Sequence, residues 1–185
     1  KKNFNEKILK ECGIFYFDEK KNTYIDRFRD RVIFPINSIS GSPIAIGGRI
    51  MEKNSFFAKY INSPETQFFK KGNNLYNIDK ARILSNKLNQ IFLVEGYMDV
   101  IGLNNNGLSN CVANLGTALT EKQIKAVIQS QSGISGVSAD DLDISVGVKQ
   151  SKTEVFQRMS QILKGRVTLI ANAAFEAKQL GAQLN

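Results

Sequence analysis

Two carboxylates four positions apart, Glu95 and Asp99, are the residues whose types and spacing are best suited to chemistry. Four apolar residues, 91–94, lead directly into Glu95, and Gly96 follows. An apolar run that ends at a glycine predicts a buried strand, and open α/β sheets bind ligands at the carboxyl ends of their strands. Gly96 lets the backbone turn into a helix that begins near Tyr97, so Asp99 falls in its first turn, close to Glu95.

This pair of carboxylates has two interpretations. Two acidic groups at one strand edge are suited to a hard divalent cation such as magnesium, which proteins hold through carboxylate oxygens and water. The structural alternative is a solvated strand end at Glu95 and an aspartate at Asp99 that the dipole of the helix N-terminus favours. The pattern alone leaves both open.

The composition excludes several classes of enzyme. The chain has no histidine, and its two cysteines, Cys12 and Cys111, match no zinc spacing. Histidine-containing catalytic triads and histidine-ligated zinc are therefore excluded, and we expect no zinc site in this chain. No run of about 18 apolar residues and no signal peptide occurs, which predicts a cytoplasmic protein without a membrane partner. Because the chain begins at Lys1, we interpret it as a fragment or a processed form.

The net charge of +8 is unevenly distributed. Residues 1–80 contain 15 basic and 9 acidic residues, whereas residues 81–185 contain 10 and 8. A basic half together with a locally acidic site is typical of a protein that binds a polyanion through a cation. Charge alone is equally compatible with a surface that only maintains solubility.

The pattern of predicted elements changes near residue 90. The elements before it are a helix at 3–12, a β-hairpin at 14–25, strands at 32–36 and 43–46, and a helix at 78–88. Pro35 favours an edge position, and Gly47 with Gly48 indicates a bulge or a close backbone approach. The elements after it are strand 91–95, helix 97–106, strand 110–114, helix 120–129, helix 153–164, strand 167–171 and helix 173–184. This alternation predicts βαβ units and a parallel sheet.

Six sequence motifs occur in one order along the chain. They are DRFRDRVIFPI at 26–36, IGGR at 46–49, KYINSPET at 59–66, FKKG followed by LY at 69–76, VEGYMDV at 94–100 and LGTALT at 115–120. This set resembles the RNA polymerase core of bacterial DNA primases of the DnaG type, and the resemblance covers about residues 4–129. Six motifs in register are far more specific than any one of them.

We expect an α/β protein with three parts, of which the resemblance implies the first two. Residues 1–88 would be the mixed α+β N-terminal subdomain of the primase core, and residues 89–148 a Toprim-like α/β domain with a mostly parallel sheet. Residues 149–185 would be an unassigned helix–strand–helix tail. The family's amino-terminal zinc-binding domain and the domain that docks the replicative helicase are expected to be absent from this chain.

The resemblance also implies an activity, a cofactor and partners. Primases of this family copy single-stranded DNA into a short RNA primer during replication. They join nucleoside triphosphates, with magnesium or manganese at the acidic cluster of the Toprim domain. The implied partners are therefore the single-stranded DNA template, nucleoside triphosphates and the RNA primer.

Matching motifs assign roles to individual residues. Glu95 matches the Toprim glutamate, a catalytic residue and metal ligand. Asp99 matches an acidic neighbour in the same pocket and is expected to be catalytic as well. The residues expected to bind nucleotide or nucleic acid are Arg27, Arg29, Arg31, Arg49, Lys59, Tyr60, Asn62, Lys70 and Lys71. The charged run at 27–31 is alternatively a strand edge that resists aggregation, and Tyr60 either stacks on a base or packs against its neighbour. The glycines at 47–48 would let the backbone approach phosphate.

The chain departs from the family at the second acidic motif of the Toprim domain. Asp141 and Asp143 keep the family's spacing of two carboxylates, but Leu142 stands where the family has glycine. Either these aspartates complete the metal and catalytic site, or the chain leaves primase sequence near residue 130, which we favour. Three functions follow: a primase core, an inactive nucleic-acid-binding primase fragment, or another Toprim metal-dependent phosphotransferase or nuclease.

Overall fold

The computed structural model of the chain describes residues 5–52, 56–88, 90–116, 119–129 and 167–169. Backbone contacts divide the chain into two compact units. The first unit comprises residues 1–37 and 42–70, and the second comprises residues 38–41 and 71–185. The division into three parts at residues 88 and 148 stays a prediction.

The first unit begins with a short helix and a hairpin, as predicted. Helix α1 (Glu6–Glu11) starts after Asn5, whose side chain accepts a hydrogen bond of 2.8 Å from the Lys7 N–H. The chain then reverses at Gly13, whose φ of +69° favours glycine. Strands β1 (Phe15–Asp18) and β2 (Thr23–Asp26) pair in antiparallel register.

A three-stranded antiparallel sheet forms the rest of the first unit. It consists of β3 (Arg31–Asn37), β4 (Pro43–Ile50) and β5 (Tyr60–Asn62), with β4 in the centre. Pro35 therefore lies on an edge strand, as predicted. The predicted bulge at Gly47 and Gly48 is wrong, because both glycines pair in regular register within β4.

The alternative explanation for these glycines, a close approach, is confirmed for Gly48. A Cβ at Gly48 would lie 2.7 Å from Cδ1 of Phe28 and 3.1 Å from Cδ of Arg31. Phe28 is only 4% exposed, so its ring has little room to move away. Glycine is required here by the packing of a neighbouring ring, which is a structural requirement independent of any phosphate.

The second unit is built on a parallel sheet, as predicted. Strand β6 (Ile91–Val94) lies between β7 (Cys111–Ala113) and β8 (Val167–Leu169), and both pairings are parallel. Helices α2 (Ile78–Leu88), α3 (Tyr97–Asn105) and α4 (Glu121–Gln129) agree with the predicted helices to within a residue at each end. The predicted helices at 153–164 and 173–184 lie outside the described residues.

The core of the second unit surrounds β6. All four residues of β6 are at most 5% exposed. Because the strand is buried on both faces, its sequence is an uninterrupted apolar run. Val100 and Leu103 of α3 pack with the buried residues of β6 and β7. Among the described ranges, no helix has the length and hydrophobicity needed to cross a membrane.

Candidate metal site and nucleic-acid interface

Glu95 and Asp99 lie where β6 turns into α3. Strand β6 ends at Val94, exposed Glu95 follows, and Gly96 takes an extended conformation before the first helical residue, Tyr97. Asp99 occupies the first turn of α3, and its Oδ2 accepts a hydrogen bond of 3.1 Å from the Gly96 N–H. One oxygen of Asp99 is thus committed to the start of the helix, while Glu95 projects from the strand end.

The pKa of Asp99 depends on its burial, on its hydrogen bond and on the charge of Glu95. Partial burial raises the pKa of Asp99, the hydrogen bond from Gly96 lowers it, and the negative charge of Glu95 raises it further. The net effect is a pKa above the ordinary aspartate value. A cation near both groups would relieve this repulsion and stabilise the ionised form of Asp99.

Asn114 adds a third oxygen at the same edge of the sheet. The register pairs Val94 with Ala113, so Asn114 follows β7 at the edge where Glu95 follows β6. Asn114 is 7% exposed, and its buried Oδ1 has no hydrogen-bond partner within the described part of the chain. A buried carbonyl oxygen of this kind is costly unless a ligand, ion or water satisfies it.

These oxygen donors fit a hard divalent cation, which needs only one or two carboxylates when water and substrate phosphates supply the other ligands. In the described ranges there is no cluster of three or more acidic, cysteine or histidine side chains that could hold a metal. Asp141 and Asp143, the other predicted ligands, lie outside the described residues. Their contribution stays a prediction.

In the first unit, the structure brings three of the predicted nucleic-acid-binding residues together. Arg49 and Tyr60 are directly paired between β4 and β5. The guanidinium carbon of Arg49 lies 5.7 Å from the centroid of the Tyr60 ring, and Nζ of Lys59 lies 5.9 Å from it. We call these residues the Tyr60 cluster. Since Tyr60 is still 40% exposed, it both packs against neighbours and presents surface to solvent.

Arg31, another predicted ligand of nucleic acid, holds the loop between β4 and β5. Its Nη1 donates hydrogen bonds to the carbonyl oxygens of Ala58 at 2.8 Å and Lys59 at 3.4 Å. Asn62 lies further along β5, paired with Gly47. Arg31 therefore acts on the Tyr60 cluster through the loop backbone.

Arg27 and Arg29 have different neighbours in the structure. The guanidinium carbon of Arg27 lies 5.6 Å from the centroid of the Tyr16 ring. Arg29 has a 75% exposed side chain, and its Nε lies 3.5 Å from Oδ2 of Asp30, whose side chain is 82% exposed. Exposed ion pairs of this kind contribute little to stability, so the guanidinium of Arg29 can exchange Asp30 for a phosphate at small cost.

Lys70 and Lys71 belong to different units. In the first unit, Nζ of Lys70 lies 3.6 Å from Oε2 of Glu65 on the surface. Lys71 starts a short 3-10 helix (Lys71–Asn73) in the second unit. Its carbonyl accepts a hydrogen bond of 2.9 Å from Nε2 of Gln123. The hydroxyl of Thr120 also donates to the carbonyl of Gly72.

Gln123 is a positioning residue that sequence reasoning missed. It is fully buried, donates to the carbonyls of Lys71 and Asn74, and accepts from the Thr120 N–H at 3.0 Å. Thr120 in turn accepts from the Gln123 N–H at 3.2 Å. The Thr-x-x-Gln spacing of a capping box was the available signal, although it does not reveal the contact with the distant 3-10 helix.

The chain therefore combines an antiparallel α+β unit with a following parallel sheet that carries an acidic strand-to-helix turn. Residues 1–82 match the family described as "DNA primase catalytic core, N-terminal domain", and residues 89–152 match the family described as "Toprim domain". The chain belongs to the catalytic-core family of DNA primases.

Individual relatives agree with this assignment. The chain is 44% identical over 124 residues to a DNA primase of Pseudomonas putida, covering 67% of the chain and 18% of the relative. It is 36% identical over 168 residues to a DNA primase of Synechococcus elongatus, covering 91% of the chain and 24% of the relative. The chain thus spans only about a fifth to a quarter of these curated relatives.

A solved structure extends the similarity to three dimensions. The structure described as "Structure of the DnaG primase catalytic domain bound to ssDNA" matches with a TM-score of 0.61 and 37% identity. The match covers 68% of this chain and 38% of that chain.

The interpretation that the chain leaves this family near residue 130 is wrong. The Toprim match continues to residue 152, and the Synechococcus elongatus primase aligns over 168 of the 185 residues. Asp141 and Asp143 both lie inside the matched range. The unusual Leu142 is therefore a local departure within a Toprim domain.

Proposed function

We propose that this chain is the catalytic part of a DNA primase, which joins nucleoside triphosphates into a short RNA primer on a single-stranded DNA template. The observation that carries this proposal is the position of Glu95 at the carboxyl end of the buried strand β6, with Asp99 in the first turn of α3. The curated relatives named DNA primase and the neighbour bound to single-stranded DNA support it.

The acidic edge would hold the metal ion that primer synthesis needs. Glu95, together with Asp141 and Asp143, would be the ligands of magnesium or manganese. The bound metal supplies charge neutralisation on the triphosphate and helps to align the attacking hydroxyl. Glu95 is suited to direct ligation because its side chain is exposed at the strand end.

Asp99 has a supporting part in this proposal. Its hydrogen bond with the Gly96 N–H fixes the start of α3, and this fixes the direction in which the chain leaves Glu95. Its charge adds to the negative potential that attracts a cation. Asp99 is therefore a positioning residue for the metal site, even though the resemblance places it in the same pocket as the ligands.

The cationic residues of the first unit would bind the template. Arg49 and Lys59 neutralise phosphates, and the exposed part of the Tyr60 ring is available to a base. The other predicted ligands that would add phosphate or nucleotide contacts are Arg27, Arg29, Asn62, Lys70 and Lys71. Binding through these charges releases counterions, so affinity is expected to fall steeply as salt rises.

The test is primer synthesis by the chain and by a Glu95→Gln variant. The reaction contains single-stranded DNA, labelled ribonucleoside triphosphates and magnesium or manganese. We expect short RNA from the chain and a loss of roughly 100-fold or more in Glu95→Gln, because the substitution removes a charge that the reaction needs. Asp79→Asn is the matched control, since Asp79 lies in the first turn of α2 in the same unit.

Three results would contradict the proposal. If Glu95→Gln makes as much primer as Asp79→Asn, the acidic edge has no part in the reaction. Strand binding without any synthesis by the unmodified chain would instead identify an inactive nucleic-acid-binding fragment. Cleavage of the DNA in place of synthesis would identify a Toprim nuclease.

A further inference from the structure

The loop between β4 and β5 exposes two adjacent phenylalanines. Phe56 is 106% exposed and Phe57 is 72% exposed, relative to a fully accessible residue. Met51, at the other end of the loop, is 63% exposed. Large apolar side chains exposed in this way are unfavourable in water, and such patches mark interaction surfaces.

The base of this loop is held in place. The Ile50 N–H donates to the carbonyl of Lys59 at 3.0 Å, which continues the pairing of β4 and β5. Arg31 donates to the carbonyls of Ala58 and Lys59, immediately beside Phe57. Arg31 is itself fixed by its packing over Gly48. Phe57 thus adjoins an anchored segment of backbone, which lowers the entropy lost when a ligand binds.

The charges beside the loop indicate the kind of ligand. The Tyr60 cluster, at the same end of β5, places two cations against an aromatic ring. Cations interleaved with exposed rings fit a strand that carries both phosphates and accessible base faces. A protein partner would need an acidic and apolar surface together, whereas single-stranded nucleic acid supplies both features in every nucleotide.

We propose that Phe56 and Phe57 stack on unpaired bases of a single strand whose phosphates are bound by Arg49 and Lys59. Arg31 is a positioning residue, which acts through the backbone of Ala58. This inference deepens the proposed function, because it names how the template is held, and the identity of the strand as template rests on that function.

The test compares two labelled strands of equal length, one of thymidines and one of abasic units with the same phosphates. The variant carries Phe56→Ala and Phe57→Ala, and fluorescence anisotropy measures its affinity for each strand. We expect roughly a 10-fold loss or more for the thymidine strand and less than about twofold for the abasic strand. Ile83→Ala, which removes another exposed apolar side chain, is the control and should change neither affinity.

A second variant separates charge from stacking. Arg49→Gln with Lys59→Gln should weaken binding of both strands and lower the salt slope by about one for each lost phosphate contact. The phenylalanine variant should leave that slope unchanged. Both rings are exposed, so the alanine substitutions are not expected to disturb folding, which a thermal melt verifies.

Two outcomes overturn the inference. Equal losses for the thymidine and abasic strands mean that the rings do not stack on bases. Unchanged affinity for both strands means that the loop serves another partner, such as a protein. Neither outcome depends on nucleoside triphosphates or on Glu95, so failure of this inference is distinguishable from failure of primer synthesis.

Discussion

The two units of this protein hold their functional groups in different ways. In the second unit, Glu95 and Asp99 are placed by the backbone itself, through a buried strand, a glycine and the first turn of a helix. In the first unit, Val32 and Ile33 of β3 are 44% and 41% exposed. The sheet that contains β3 is therefore only partly covered by other residues, and the cationic groups on it are held by contacts between side chains.

This difference predicts how each site responds to change. A group placed by the core moves only when the core is disrupted, so substitutions of the buried residues that hold the second unit together should reduce stability strongly. A group placed by surface contacts can be removed at small cost in stability and a large cost in binding. Each of the following predictions would weaken or sharpen this contrast, in order of decreasing effect on stability.

The largest loss of stability is expected for Gln123→Leu. Its fully buried amide makes hydrogen bonds of 2.9 Å with Lys71, 2.8 Å with Asn74 and 3.0 Å with Thr120. Losing them leaves buried polar groups without partners, so the free energy of unfolding should fall by about 2–4 kcal/mol. Urea denaturation measures it, with the exposed neighbour Lys122→Ala as a control. A loss below about 1 kcal/mol would contradict the role assigned to Gln123.

Gly48→Ala should cost about 1–3 kcal/mol, because the new methyl group overlaps the buried ring of Phe28. It should also weaken binding of single-stranded DNA, since Arg31 packs against the same position and anchors the loop. The control is Gly102→Ala in α3, where a Cβ meets nothing within 4 Å. That variant should gain about 0.5–1 kcal/mol, because alanine is the better helix former. Thermal melts that rank the two variants in reverse order would refute this explanation.

Alkaline pH should destabilise the second unit through Cys111. Burial raises the pKa of this thiol to about 12, from an ordinary value of 9.0. The folded state therefore keeps a proton that the unfolded state loses, and stability present below pH 9 is lost as the pH rises toward 12. The expected loss is about 1.4 kcal/mol per pH unit within that window.

Comparison with Cys111→Ala isolates this contribution from other groups that titrate at high pH. The difference in unfolding free energy between the two proteins should narrow from pH 9 to pH 11. A difference that stays constant across this range would show that Cys111 ionises as readily in the folded state as in the unfolded chain.

The smallest effect on stability is expected for Asp99→Asn. The asparagine can still accept from the Gly96 N–H, and it removes a charge that burial and Glu95 both disfavour. Because the folded pKa is raised, the contribution of Asp99 is most favourable at low pH and declines as the pH rises through that pKa. The variant should therefore melt slightly higher than the chain at neutral pH without divalent cations. A lower melting temperature would mean that the charge itself stabilises α3.

Local patterns predicted the second unit well. Helix α2 and the β6–α3 turn follow directly from apolar runs, helical periodicity and one glycine, and each of these signals lies within a few residues. At Gly48 the sequence left a bulge and a close approach open, because the requirement for glycine comes from Phe28, 20 residues away in the chain. The anchoring of the loop by Arg31 was equally inaccessible, because it depends on a hydrogen bond to Ala58.

The residues of the candidate site show the same difference between local signals and contacts that are distant in the sequence. Its carboxylates were predictable because their spacing is set by a strand end and a helical turn. The pairing of Arg49 with Tyr60 was not, because it depends on the register between β4 and β5, and a shift of one residue would place these side chains on opposite faces. The sequence motifs identified the candidate residues, but only the register of the strands shows which of their side chains lie next to each other.

The most direct test measures strand binding and primer synthesis on the same two variants, Glu95→Gln and Arg49→Gln. If the acidic edge performs the chemistry and the Tyr60 cluster holds the strand, Glu95→Gln should lose synthesis while binding DNA within about twofold of the unmodified chain. Arg49→Gln should bind about fivefold more weakly and recover synthesis when the template concentration is raised. Equal loss of both properties in both variants would contradict this separation of roles.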